Sequence, residues 1–512
     1  MKIKMTKIAA ILALTFACQG AQAGEKQEME ALRQTTLNLI EALVQQGLLT
    51  RDKADALIRS ATVAQPVEQP GQAQQAPEAN VVHVPYVPEI VKREMREQIK
   101  NEVLAQARSE RWGDPGALPD WLDRFKFSGD IRLRFQEDMF QKDNTTPANL
   151  ALFGIKMDNS TENRQRLRVR ARLNLGIKIT DDWTAGLRLT TGDTITPVSS
   201  NQTMGNTFNK YSVVFDRAYL KYDPYRWLSV SGGRIPNPWF STDLVWYEDL
   251  NFEGLAATLK PQLSDHLTGF FTAGAFPIQE IQSSDTVLAK SKWLFGAQAG
   301  AEWVSEDMSK LKLGVSYYKY TNIAGQPNPI GSTAFSLTAP QYTQKGNSMF
   351  NNNAVNNPTA NPNALAANFH ELNLTGMYDW AAFDPMHVVF TGDFVKNIGF
   401  DRQEILQRTG LDIKPRTMGY QTQVMLGVPE IKKDGEWQAY FGYRHLERDA
   451  VLDAFTNPDF HLGGTDTKGY FIGGNYGVNK NAWIGLRYMS ADQIDGPPLA
   501  IDVLLVDLNA KF

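Results

Sequence analysis

The sequence predicts an all-β protein: a transmembrane antiparallel β-barrel of about 16 strands, preceded by a short helical N-terminal segment. Segment 163–179 alternates basic and apolar residues over a length unusual for a soluble domain, where strands of about five to six residues are typical. Short polar turns, most of them next to a Trp, recur along the chain and alternate with long loops. The last segment also alternates and stops on Phe512, an ending that resembles the assembly signal of bacterial outer-membrane barrels.

Alternation assigns the two faces of segment 163–179. Period-two spacing puts neighbouring side chains on opposite faces of a strand. The even positions are mostly Arg, and the odd positions from Leu167 onward are all apolar. An Arg facing lipid would cost about 2–4 kcal/mol at the middle of the membrane. The apolar face is therefore predicted to face lipid and the basic face to line a wet lumen.

The N-terminus has the features of a secretory signal, predicted as residues 1–23. Three lysines precede an apolar run, and Ala21-Gln22-Ala23 has the small residues of a cleavage site. The alternative is a lipoprotein anchor at Cys18, the only cysteine, although Thr15-Phe16-Ala17 is a poor lead-in for lipidation. Cleavage after residue 23 would leave a mature chain without any disulfide.

The next segments are predicted to be helical and outside the barrel. Residues 24–62 carry apolar side chains near helical spacing, 63–88 form a Pro/Gln-rich linker, and 89–120 form a charged helix and lead-in. The alternation that predicts the barrel occupies 121–512. The helices are interpreted either as a periplasmic coiled coil or oligomerisation stalk, or as lone amphipathic helices against the barrel.

Composition argues against other classes of protein. Charged residues make up 21% of the chain and the mean hydropathy is -0.35. No later stretch approaches the roughly 18 consecutive apolar residues of a spanning helix. The net charge of -4 falls to -7 if three lysines leave with the signal, so a nucleic-acid partner is not expected. The six histidines lack ligand spacing, so no metal, cofactor or catalytic residue is predicted.

Counting turns gives the strand number. Seven short turns and two chain ends imply eight long-loop hairpins, and hence 16 strands. A Trp beside a turn matches the aromatic girdle of an outer-membrane barrel. The longest loop, 321–367, is predicted either to enter the lumen or to cover the outer mouth. The seven predicted turns lie at 180–182, 223–227, 264–265, 305–307, 379–380, 434–437 and 479–483.

The same alternation selects a set of pore-lining basic residues. Rings of basic side chains favour anionic solutes, and guanidinium groups suit carboxylate and phosphate geometry. The alternative is a wall network in which these residues pair with inward acids. The twelve candidates are Arg132, Arg134, Arg166, Arg168, Arg170, Arg172, Arg188, Arg217, Lys221, Arg234, Arg444 and Arg487.

Several motifs resemble the putative porin family of Gram-negative bacteria. They are the runs at 46–50, 84–91, 117–121, 127–134 and 233–239. The resemblance implies a 16-stranded outer-membrane porin with a periplasmic helical N-terminal segment, and a homotrimer as one expected assembly. Phosphate-selective porins are similar in plan. The family name does not give the solute.

The expected function is a passive diffusion channel for small hydrophilic solutes, with a preference for anions set by the inward arginine stripe. The expected partners are outer-membrane lipid, the solutes themselves, further copies of the chain, and a periplasmic or cell-wall component bound by the N-terminal helices. Two alternatives are an outer-membrane barrel hydrolase and a structural envelope tether anchored by a barrel. The hydrolase requires a Ser/His or Asp/His constellation at the outer rim.

Overall fold

A closed antiparallel barrel of sixteen long strands forms the described part of the chain, which in this computed structural model is residues 122–353 and 363–512. The first eight strands are β1 (Phe125–Phe140), β2 (Arg164–Lys178), β3 (Trp183–Thr191), β4 (Val213–Tyr225), β5 (Leu228–Pro236), β6 (Asn251–Leu259), β7 (Leu267–Gln279) and β8 (Lys292–Val304). The others are β9 (Lys310–Thr321), β10 (His370–Phe383), β11 (Met386–Asn397), β12 (Met418–Gly427), β13 (Trp437–Leu446), β14 (Thr467–Asn479), β15 (Ala482–Gln493) and β16 (Ala500–Lys511). The predicted strand number is confirmed. The predicted N-terminal segments 1–23, 24–62, 63–88 and 89–120 lie outside the described residues.

The first and last strands close the sheet. Strand β1 pairs with β16 in a register that places Ile131 opposite Ala510 and Phe135 opposite Val506. On its other side β1 pairs with β2, so that Leu133 lies opposite Val169. A closed ladder bonds its backbone groups between strands, as a wall in contact with lipid requires.

The two faces of the wall differ as the alternation predicts. On the outer face Leu133 and Leu167 are 48% and 57% exposed. On the inner face Arg132, Arg134 and Arg170 are only 4–6% exposed. The arginine side chains are covered because loops fill part of the barrel interior.

One rim carries the short turns and exposed aromatic residues. Trp183 stacks on Tyr222 with ring centroids 4.6 Å apart, and Tyr225 stacks on Trp227 at 5.3 Å. Strand ends at this rim meet across connections such as 179–182, 226–227 and 480–481. The predicted turn at 379–380 is wrong, because both residues lie within β10 and the chain turns at Asp384-Pro385.

Eight longer loops leave the opposite rim. We call them loops 1 to 8, at 141–163, 192–212, 237–250, 280–291, 322–369, 398–417, 447–466 and 494–499. They contain helices α1 (Pro147–Ala151) and α2 (Arg402–Thr409), and 3-10 turns at Ser336–Thr338, Asp453–Phe455 and Phe460–Leu462; another, Leu122–Arg124, precedes β1. Among the described helices, none has the length and apolar character needed to cross a membrane.

Loop 5, the longest, packs against loop 7. The Lys345 ammonium donates to the backbone carbonyls of His461 and Gly463, and Ser348 donates to Asp449 through its backbone N–H at 2.8 Å and its hydroxyl at 2.6 Å. These contacts join two loops of the same rim. The contacts with loop 7 select neither of the two predictions for this loop, entry into the lumen or a cover of the outer mouth, because Phe350 and Leu365 of loop 5 also lie in the buried cluster that contains Trp239 and Trp246 of loop 3. Loop 3 crosses the lumen.

Candidate functional site

Loop 3, residues 237–250, folds into the barrel. It leaves β5 through Pro236 and Pro238, where the missing N–H groups end regular strand pairing. The backbone N–H of Phe240 donates to Gln298 on β8 at 2.8 Å, and the Phe240 carbonyl accepts from the same amide at 2.7 Å. Both bonds hold the first part of the loop to an inward side chain, so the loop runs inside the wall.

The middle of loop 3 reaches the opposite wall. Thr242 donates to Asp393 on β11 through its hydroxyl at 2.6 Å and its backbone N–H at 3.2 Å. Asp243 pairs with Arg444 on β13 at 2.8 Å and accepts from Gln421 on β12 at 2.9 Å. Loop 3 therefore connects β5 and β6 to β8, β11, β12 and β13 through the lumen.

The last part of loop 3 meets β2, which we call the arginine strand because it carries five arginines between 164 and 172. Asp249 lies 3.3 Å from the Arg170 guanidinium and 2.8 Å from that of Arg172, and its carboxylate accepts from Ser200 of loop 2 at 3.1 Å. Asp130 on β1 pairs with the same two arginines at 2.9 Å and 2.7 Å. Two carboxylates thus neutralise two guanidinium groups where loop 3 returns to the wall.

Aromatic packing fixes the loop between its polar contacts. Trp239 lies edge-on to Tyr318 at 5.2 Å, and Trp246 lies edge-on to Phe252 at 5.0 Å and to Tyr318 at 5.1 Å. These rings form the main buried apolar cluster, together with Leu244. Burying large aromatic side chains stabilises a single position for the loop.

Ion pairing lowers the pKa values of the loop carboxyls. Burial would raise the pKa of Asp243, but Arg444 and hydrogen bonds from Gln421 and Asn457 hold it at about 2. Burial also acts to raise the pKa of Asp249, but the nearby arginines, first of all Arg170, outweigh it and lower that pKa. Both carboxyls are therefore charged at neutral pH and hold loop 3 by electrostatic contacts.

Three cavities remain around loop 3. One of about 870 Å³ opens toward the short-turn rim and is lined by Lys221, Glu302 and Lys312. A second, of about 790 Å³, lies among residues of the long loops and is lined by Arg234 and Lys292. The third cavity, of about 360 Å³, lies between the middle of loop 3 and the inner wall, and its lining residues include Asp243, Glu248, Tyr440, Arg444 and Arg487.

Eight of the twelve candidate residues pair with a carboxylate. Arg134 contacts Asp507 at 2.7 Å and Asp459 at 2.8 Å, and Arg166 contacts Asp138 at 2.7 Å. Arg234 bonds Glu253 at 2.5 Å beside Gly233, whose φ of +112° interrupts the strand. The paired candidates are Arg134, Arg166, Arg170, Arg172, Arg188, Lys221, Arg234 and Arg444.

The other four candidates have neutral partners. Arg132 donates to Asn201 at 2.7 Å and Arg168 to Gln136 at 2.9 Å. Arg217 donates to the side-chain oxygen of Asn251 at 2.7 Å, and Arg487 donates to the hydroxyl of Tyr440 at 2.8 Å. Within the described residues, the ion pairs at 4.0 Å or less include none of Arg132, Arg168, Arg217 and Arg487.

Sequence reasoning missed the acidic residues of loop 3. Asp243 and Asp249 neutralise members of the basic set, and Glu248 is exposed beside the third cavity. The local signal was an acid-containing loop with four aromatic residues between two alternating strands. Nothing local distinguishes such a loop from one that points into solvent.

Comparison with solved structures gives matches of low similarity. The high-pH structure of Pseudomonas putida OprB aligns with a TM-score of 0.46 and 11% identity over 77% of this chain and 96% of that chain. The outer membrane channel DcaP of Acinetobacter baumannii gives 0.40 and 11% over 76% and 97%. OmpT of Vibrio cholerae in its trimer form gives 0.40 and 10% over 76% and 99%. No curated protein matches the sequence.

Family comparison gives a broader match than these structures. The sequence model of a family described as Putative porin matches residues 33–512. That range includes all sixteen strands of the barrel, loop 3 and the arginine strand. The chain therefore belongs to the putative porin family and is an outer-membrane β-barrel.

Proposed function

We propose that the protein is a passive diffusion channel for small hydrophilic solutes with a preference for anions. The observation that carries the proposal is the closed barrel with basic side chains inside and cavities of hundreds of Å³ on both sides of loop 3. A polar interior narrowed by loop 3, with loop 7 also reaching the inward Arg134, restricts passage by size and charge. Membership of a porin family favours a channel over a barrel enzyme.

The anion preference is assigned to four guanidinium groups: Arg132, Arg168, Arg217 and Arg487. Their hydrogen-bond partners are neutral, and in the described part of the chain none of them has a carboxylate within 4.0 Å, whereas the other eight basic candidates are paired. Buried Nε atoms without a hydrogen-bond acceptor among the described protein atoms occur on both kinds of arginine: on Arg132 and Arg168, and on the paired Arg166 and Arg170. A transient anion or a water molecule at this place would satisfy them.

Planar-bilayer recording of the purified protein tests the proposal. Single-channel steps in KCl are expected, and the reversal potential in a KCl gradient should show that chloride is favoured over potassium. Replacing Arg132 and Arg168 by Gln should shift the reversal potential toward potassium. Absence of any steps would refute the channel, and an unchanged reversal potential would refute the assignment to these arginines.

A charge-balanced variant is the matched control. Arg166→Gln combined with Asp138→Asn removes an ion pair from the same strands without changing the net charge. Its reversal potential should equal that of the wild type. A shift as large as that of Arg132→Gln with Arg168→Gln would mean that strand distortion, not charge, sets the selectivity.

The proposal includes a homotrimer and a periplasmic N-terminal segment, both on the basis of the family resemblance in the sequence. Deleting residues 25–110 and measuring the mass of the detergent complex tests whether the helices hold the copies together. Retention of the oligomer would assign assembly to the barrel, and a monomer would assign it to the helical segment.

A further inference from the structure

An apolar groove of about 520 Å³ runs across the outer face of β9 to β13. Its floor lies at Gly376 and Gly392, which face each other across β10 and β11 and have no side chain to fill the surface. A Cβ added at Gly392 would meet no atom within 4 Å. The groove walls are Leu313, Tyr378, Phe390, Val424, Phe441 and Tyr443.

Two lysines stand on the same face, toward the long-loop rim. Alternation along β11 places Phe390, Gly392, Phe394 and Lys396 on one face, and Lys319 is the corresponding basic residue on β9. Both lysines are exposed, and within the described residues neither forms an ion pair at 4.0 Å or less. The four-residue step from Gly392 to Lys396 spans about 13 Å along the strand.

We propose that this face binds an anionic lipid of the outer leaflet. The phosphate head group would contact Lys319 and Lys396, and an acyl chain would descend past Phe394 into the groove. In outer-membrane barrels the long loops are extracellular, so the lysines stand at the level of the outer head groups. One leaflet of the hydrocarbon core is about 15 Å thick, which matches the distance from Lys396 to the groove.

Charge favours a lipid over a second copy of the chain. Two ammonium groups above a greasy groove complement a molecule with phosphate at one end and methylene groups at the other. A protein occupant would have to supply carboxylates at the lysines and narrow apolar side chains at the glycines. Lys468 differs from Lys319 and Lys396. It stands at the same rim, but it lies opposite an acid, Asp492, in the pairing of β14 and β15.

The test measures the lipid retained by purified protein during gel filtration in detergent. The probes are lipid A with two phosphates, the same lipid without phosphate, and phosphatidylcholine. The wild type should retain bis-phosphorylated lipid A in preference to the other two. Lys319→Gln with Lys396→Gln should weaken retention about 25-fold, since each lysine near a lipid surface contributes roughly fivefold.

Two further variants separate the lipid site from general effects. Lys468→Gln with Lys210→Gln removes the same charge elsewhere on the exposed long-loop side and should leave retention unchanged. Gly392→Leu adds a side chain on the groove floor, where a Cβ meets no atom within 4 Å, and should lower retention while the barrel keeps its circular dichroism. The proposal would be overturned if Lys468→Gln with Lys210→Gln lowered lipid retention as much as the Lys319 and Lys396 pair, or if the wild type showed no preference for the phosphorylated lipid. Dissociation of an oligomer by Gly392→Leu with unchanged lipid retention would also overturn it and assign the groove to copies of the chain.

Discussion

Arg444 on β13 and Asp243 in loop 3 form an ion pair in which Nη2 and Oδ1 lie 2.8 Å apart. Gln421 bridges both, because its oxygen accepts from Arg444 Nε at 2.7 Å and its amide donates to Asp243 at 2.9 Å. Arg444 also lies over the Phe460 ring, 4.8 Å from the centroid. This network fixes the middle of loop 3 to the wall opposite its own strands.

Asp243→Ala should release loop 3 from that wall. The substitution leaves Arg444, only 2% exposed, without its carboxylate, and breaking a buried pair costs about 3 kcal/mol or more. We expect a larger and noisier single-channel conductance with the barrel intact by circular dichroism. Asp265→Ala, at an exposed short turn, is the control and should conduct like the wild type.

The same pair predicts a release of loop 3 in acid. The pKa of Asp243 is lowered from 3.8 to about 2, so its contribution to the closed loop is complete above about pH 4 and disappears as the pH falls toward 2. The difference in conductance between the wild type and Asp243→Asn should therefore be constant above about pH 4 and vanish toward pH 2. Comparing the two proteins removes the effect of other acids that hold loop 3, such as Asp393, which accepts from Thr242. A difference that changes near neutral pH would contradict the prediction.

Arg134→Met should destabilise the barrel seam. Arg134 joins β1 to β16 through Asp507 and to loop 7 through Asp459, whose side chain is 3% exposed. Its loss leaves Asp459 buried without its closest cation, at a cost of about 3–5 kcal/mol. Thermal unfolding followed by circular dichroism measures the effect. Arg164→Met, on an exposed side chain at the end of β2, should change the melting temperature much less.

Gly254→Ala should also destabilise the protein, for a backbone reason. Gly254 has a φ of +138°, and an added Cβ would lie 2.2 Å from the carbonyl oxygen of Ala275. A side chain in such a conformation costs about 1–3 kcal/mol. Gly392→Ala, at a glycine with open space around it, is the matched control. Equal melting temperatures for the two variants would contradict the role of strain.

The position of loop 3 could not be predicted from local sequence. Its acids differ little from those of a solvated loop, and the partner of Asp249, Arg170, lies 79 residues away in the chain. The prediction of a turn at 379–380 was wrong for a related reason, because local residues did not show how far strand pairing extends. An Asp-Trp pair suits a turn, but strand pairing continues β10 to Phe383 before the chain reverses.

The sequence by itself determined the barrel, the number of its strands and the face that each long strand turns to lipid. The barrel and its lipid-facing side follow from period-two alternation, because a lipid-facing arginine is too costly to tolerate, and the strand number follows from the count of short turns. Only the tertiary structure decided which arginines have a carboxylate within 4.0 Å. That depends on carboxylates carried by loop 3, loop 7 and neighbouring strands, and only closure of the barrel brings those carboxylates within reach of the guanidinium groups.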